Sequence, residues 1–200
     1  MSKRFSYLLA LFGALIFVSG CAHDPRFDTR TQYLGTYGGA STQKRAPFDN
    51  VSYWDGDDVS GSHSVLISLG EQRAYFYKGN DLVGVSLIST GREGLETPSG
   101  KFKIIQKDKD HKSSQFGDYV DATGGLIKKD IDVKVDPKPP GAIFDGAKMP
   151  FFMRIVGGTG MHAGFLPGYP ASHGCIRMPE FMAEAFFRNI SVGTPVTISQ

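Results

Sequence analysis

The chain of 200 residues is 40% hydrophobic and 21% charged, enough apolar material for one packed domain but not for two large ones, and without the bias of a disordered tail. Its 25 glycines and 15 phenylalanines point to a turn-rich, sheet-dominated chain and away from a helical bundle, because glycine weakens helix interiors while aromatics suit a pleated, half-buried surface. The formal net charge of +2 gives no basic surplus for a nucleic-acid partner.

At the amino terminus, Lys3 and Arg4 precede an uncharged apolar run over 5–18. That run is too short for the ~20 residues of a membrane-spanning helix and suits a secretory signal peptide, placed at 1–20. It ends in Val18-Ser19-Gly20-Cys21, which resembles the bacterial lipobox. The resemblance implies cleavage before Cys21, a lipid on its thiol and anchoring at a membrane; Ala22 in the next position implies the periplasmic side of the outer membrane. With Lys3 and Arg4 removed and no acid lost with them, 20 basic side chains balance 20 acidic ones. Of the two cysteines only Cys175 then keeps a thiol, and an unpaired cysteine in an oxidising compartment is a candidate reactive group.

Residues 21–62 show neither a 3.6 nor a 2.0 period and read as the lipidated terminus and a flexible tether, with the domain proper over 63–200. In the domain, Val65, Ile67 and Leu69 alternate with Leu66 and Ser68, a turn follows at Gly70-Glu71-Gln72, and residues 73–77 return as the second arm of a hairpin. Further strands are expected over 82–89, 101–106, 151–156 and 195–199. The polar stretch at 107–148, with Asp136-Pro137-Lys138-Pro139-Pro140-Gly141, is too long for a plain connection and reads as an inserted lid or subdomain. Pro179 suits a first helical position, Glu180 the positive end of the dipole, and Met182, Ala185, Phe186 and Asn189 fall at helical spacing.

Chemistry concentrates between Met161 and Pro179, where two of the five histidines and Cys175 fall within fourteen residues. A thiol of ordinary pKa, about 8.5, is mostly protonated near neutrality, so a cysteine nucleophile needs a base, and His162 and His173 are at hand. Backbone amides at a turn before a helix suit an oxyanion. His162, His173 and Cys175 also form a conceivable three-ligand zinc set, though the usual ligand spacings are absent. His23, His63 and His111 lie among polar neighbours and read as solvated.

The string Ser172-His173-Gly174-Cys175-Ile176-Arg177, preceded by His162, resembles the signature of the L,D-transpeptidase catalytic-domain (YkuD-like) family. The upstream Ser89-Thr90-Gly91-Arg92 and Thr97-Pro98-Ser99-Gly100-Lys101-Phe102 resemble its strand-turn-strand block. The resemblance implies a mainly β sandwich or barrel with one helix after the nucleophile loop. It implies Cys175 as nucleophile and His162 as its base, with Ser172, His173 and Gly174 supporting the loop and the oxyanion and Arg177 holding a substrate carboxylate or bracing the site. No cofactor and no metal are implied. The activity implied is cysteine acyl transfer on peptidoglycan stem peptides by a monomer tied to the membrane through Cys21. An L,D-carboxypeptidase of the same fold and a non-catalytic peptidoglycan-binding lipoprotein are the rival readings. Only nine residues separate His162 from Ser172, and Ala163 stands where the family commonly has Gly or Ser.

Overall fold

The computed structural model describes residues 49–200. Its strands are β1 (Tyr53–Trp54), β2 (His63–Ser68), β3 (Arg73–Lys78), β4 (Asp81–Leu87), β5 (Gly100–Lys103), β6 (Gln106–Val120), β7 (Leu126–Asp132), β8 (Ile143–Val156), β9 (Thr159–Ala163), β10 (Ile176–Met178) and β11 (Pro195–Ser199); its helix is α1 (Glu180–Asn189). They form a six-stranded sheet in the order β1-β4-β3-β2-β11-β5 and a five-stranded sheet in the order β10-β9-β8-β6-β7. The expected mainly β fold with one helix after the cysteine is therefore the fold observed.

The alternation in β2 does what its pattern requires: Val65 and Ile67 are buried, and they meet Ala74 and Phe76 of β3 and Val196 and Ile198 of β11. Met153, Ile155, Met161, Ala163, Ile176 and Met178 from the other sheet enter the same core. Helix α1 closes it with Met182, Ala183 and Phe186, and the Phe186 ring packs on Phe76 at 5.0 Å and on Trp54 at 6.1 Å. Ala183, and not Ala185, completes the inward face. Pro179 is the N-cap, one position before the place expected for it.

Two boundaries depart from the sequence reading. The first is the start of the domain at 63, because residues 49–62 of the expected tether are docked on the fold. Tyr53 and Trp54 pair with Val85 and Gly84, Asp55 N–H donates to Val83 O, and the buried Lys78 donates through Nζ to Gly56 O at 2.7 Å. A two-residue strand carries no readable period, so Trp54 was the one available signal. The remaining residues of that tether, and Cys21 with the signal segment, lie outside the described residues.

The second is the insert, which is sheet and not loop. β6 pairs with β8 from Gln106↔Arg154 to Lys112↔Lys148 and again from Gly117↔Gly146 to Val120↔Ile143, while β7 pairs with the far end of β6. The near half pairs within the body of the five-stranded sheet; the far half extends that sheet as a ribbon edged by β7, with its own small core of Tyr119, Ile131 and Ala142. Lys107, Asp108, Lys109 and Asp110 follow one another without an apolar period because the ladder, and not burial, holds this stretch.

Candidate active site

Alternation along three neighbouring strands sorts their side chains. Met153 and Ile155 of β8, Met161 and Ala163 of β9, and Ile176 and Met178 of β10 go into the core. Their neighbours Arg154, His162, Cys175 and Arg177 therefore share the other face. Register fixes their spacing: β9 and β10 run parallel with Arg177 beside His162, Cys175 stands at the level of Gly160, and Gly160 is opposite Arg154 of β8. A side chain at 160 would strike the Phe152 ring, its Cβ coming within 2.5 Å, so glycine keeps this part of the face open. Over it lies a cavity of about 390 Å³ lined by Cys175, His162, Ser172, His173 and Arg177 from the predicted cluster.

The loop carrying Cys175 is tied in at several points. Ser172 Oγ donates to Cys175 O at 2.5 Å and accepts from Gly174 N–H at 3.1 Å. Thr97 Oγ1 donates to Gly174 O at 3.0 Å and accepts from Gly91 N–H at 2.9 Å, which joins the two sequence blocks into one structure. Gly174 has φ +106°, a conformation that side-chain-bearing residues avoid. The Gly174 amide was expected at an oxyanion; here it donates to Ser172 Oγ, two residues back in the turn.

His162 is 6% exposed and its Nδ1 lies 2.8 Å from Ala163 O. A carbonyl only accepts, so Nδ1 carries the proton and Nε2 presents the lone pair. The backbone oxygen does the orienting, which is why Ala163 serves at that position. Burial lowers the His162 pKa to about 4, against the opposing effect of that hydrogen bond, and His111 adds to the lowering. Burial also pushes the Cys175 thiol up, with the Gly160 amide and Arg154 pulling the other way. Cys175 Sγ lies 3.5 Å from Gly158 O. The resting pair is thus a thiol and a neutral imidazole.

The other predicted residues take different stations. His173 stacks on Phe116 of the insert at 4.4 Å, with Asp130 at 3.9 Å from its Nε2. Burial, then Arg92, lower its pKa, and Asp130 and Asp132 oppose them. Arg177 is 6% exposed, lays its aliphatic stem against Gly164 and donates from Nη2 to Ala171 O at 3.3 Å, as a brace beneath the loop would. Among the described residues no three His, Cys, Asp or Glu side chains gather as a metal site, and His162, His173 and Cys175 are not such a group.

Three contributors were not foreseen. His111 is not solvated: it lines the cavity, stacks on Phe152 at 4.3 Å and holds Asp108 Oδ2 at 2.9 Å through Nδ1. His63 likewise packs on Phe76, at 5.6 Å. Phe116 reaches the cavity from β6, and Arg154 reaches it from β8. Only strand pairing brings them there.

The family model for the L,D-transpeptidase catalytic domain (YkuD) matches residues 62–198. The chain belongs to this family. No curated protein matches it. Among solved structures it is similar to an L,D-transpeptidase from Stackebrandtia nassauensis, with 16% identity and a TM-score of 0.51 over 71% of this chain and 57% of that one. It is also similar to L,D-transpeptidases from Mycobacterium smegmatis, with 16% identity and a TM-score of 0.51 over 70% and 59%, and from Xylanimonas cellulosilytica, with 20% identity and a TM-score of 0.51 over 71% and 62%. The chain spans less than two thirds of the length of each of these relatives. What it shares with them is the L,D-transpeptidase fold.

Proposed function

We propose that this L,D-transpeptidase family member is an acyltransferase that uses Cys175 to form a thioester with a peptidoglycan stem peptide and passes the acyl group to an amine of a second stem. The observation that carries the reading is the placement of Cys175 and His162 on one sheet face, opening on one cavity, with the His162 tautomer set by Ala163 O. Such a pair can move a proton from sulfur to nitrogen as the sulfur attacks. His162 Nε2 takes the Cys175 proton while Sγ bonds to the carbonyl carbon linking the third stem residue to the terminal D-alanine. The Cys175 amide faces the charge that develops on oxygen. The tetrahedral species collapses with cleavage of the C–N bond, and the D-alanine amine leaves with the proton held by His162. In the second half the acceptor amine attacks the thioester, gives its proton to His162, and Cys175 departs as the thiol. Ser172, Gly174 and Thr97 hold the loop rigid through both halves, His173 couples it to the insert, and Arg177 braces it.

The far half of the insert acts as a lid in this reading, since Phe116 lies against His173 beside the cavity and can limit access of water to the thioester. The lipobox at Cys21 supports anchoring at the outer membrane, facing the periplasm.

Incubating the mature protein with disaccharide tetrapeptide and identifying the products by mass spectrometry tests the function. Cross-linked dimer with release of D-alanine is expected. Tripeptide alone would make the protein an L,D-carboxypeptidase, and no turnover would reduce it to a binding protein.

A further inference from the structure

Arg154 is a cation on the cavity floor to which the acyl-transfer scheme gives no task. Its neighbours in β8, Met153 and Ile155, are buried at 0% and 2%, so it faces the cavity from the middle of the sheet. Its orientation is fixed: Nε donates to Gln106 Oε1 at 2.7 Å, Nη1 donates to Gly157 O at 2.7 Å, and the guanidinium lies over the Phe152 ring at 5.0 Å. These partners are all neutral. Among the described residues no carboxylate pairs with Arg154, and no Asp or Glu lines the cavity. Two of its five N–H groups are engaged.

Its placement relative to the thiol is equally defined. Arg154 holds Gly157 O and Cys175 Sγ lies against Gly158 O, consecutive carbonyls of the β8–β9 turn. Two strand spacings, about 10 Å, separate the Arg154 backbone from the level of Cys175. A near-attack contact of about 3–3.5 Å, followed by the roughly 4 Å from a scissile carbonyl to the carboxylate of a single residue beyond it, brings that carboxylate within the arm of the arginine. Arg177, which the family resemblance suggested for a carboxylate or for bracing, also lines the cavity and donates from Nη2 to Ala171 O of the loop.

We propose that Arg154 is the docking residue for the free C-terminal carboxylate of the donor peptide, so that the enzyme selects peptides with one residue and a free acid beyond the scissile carbonyl. The acyl-transfer reading supplies the identity of the peptide; the preference for an anion beside Cys175 is testable without it. The influence of Arg154 on the Cys175 thiol agrees with this placement. Lys148, exposed on the same cavity wall, adds a second positive charge.

The experiment compares two readouts in the full chain and in R154Q and R154M, the second of which keeps an apolar stem over Phe152. The first is alkylation of Cys175 by iodoacetate and by iodoacetamide, quantified on the Cys175 peptide so that Cys21 does not contribute. These reagents share a leaving group and differ in charge, so the ratio of their rates cancels changes in thiol reactivity. The iodoacetate to iodoacetamide ratio is expected to fall about tenfold or more in both variants, the size of one charge-assisted contact. The second is kcat/KM for disaccharide tetrapeptide against its C-terminal carboxamide, where preference for the acid is expected to fall by a similar factor. An unchanged ratio in a folded variant overturns the docking role, as does equal loss with acid and amide. Turnover of neither peptide by the unmodified protein, with the alkylation ratio shifting as expected, overturns the acyl-transfer reading and keeps the anion site.

Discussion

In its proposed role as base, His162 is kept uncharged by burial, and the proton on Nδ1 is pinned by Ala163 O. With its pKa lowered to about 4 and the Cys175 thiol pushed up, the pair does not rest as an imidazolium and a thiolate. The sign of the pH dependence follows. Above about pH 4 His162 stays neutral, so the thiolate fraction is governed by Cys175 alone and grows with rising pH up to its elevated pKa. Iodoacetamide alkylation of Cys175 should accordingly rise steadily from pH 5 to beyond pH 9. A plateau between pH 5 and 7 would reveal a preformed ion pair and contradict this account. Cys175, His162, Ser172 and Gly174 were legible in the sequence because their spacing is local. Thr97, His111 and Arg154 were not, since each acquires its place through a contact with a residue far along the chain: Gly174 O for Thr97, Phe152 for His111, Gln106 for Arg154.

Among the elements, α1 and the insert do different work. α1 seals the core behind β8 and β9 with Phe186, fully buried between Phe76 and Trp54. Phe186→Ala should cost about 3–5 kcal/mol in denaturant unfolding, the range for truncating a buried aromatic; under 1 kcal/mol would mean that the helix is loosely attached. The helix was readable from Pro179, Glu180 and its apolar spacing. β6 and β7 were not, because sheet hydrogen bonding needs no apolar period when both faces carry polar side chains. The near half of the insert cannot be removed without removing the cavity floor, where Gln106 and Asp108 pair with Arg154 and Phe152. The far ribbon can. Replacing residues 113–147, Phe116 among them, by a short turn between the paired Lys112 and Lys148 should keep acylation and raise the tripeptide to dimer ratio, by virtue of water reaching the thioester. The same ratio in a well-folded variant would make the ribbon a docking surface and not a lid.

At the scale of the whole molecule, both sheets and the helix converge on one core, and the face of the five-stranded sheet turned away from it carries the site. No helix among the described residues is long and apolar enough to cross a membrane. The attachment proposed above is a lipid on Cys21, a chain of which contributes about 0.8 kcal/mol per buried methylene. Cys21→Ser should move the protein from the membrane fraction to the soluble fraction with its specific activity retained, and a variant still in the membrane fraction would show that another part of the chain holds it there. The central claim is that Cys175 carries the acyl group. Its most direct measurement is rapid-quench intact-mass spectrometry of the protein mixed with disaccharide tetrapeptide. The account predicts an adduct of the donor less D-alanine, mapped to Cys175, discharged by neutral hydroxylamine and absent from a folded C175A variant that makes neither dimer nor tripeptide. Product formation by C175A at a rate near that of the unmodified protein would contradict it.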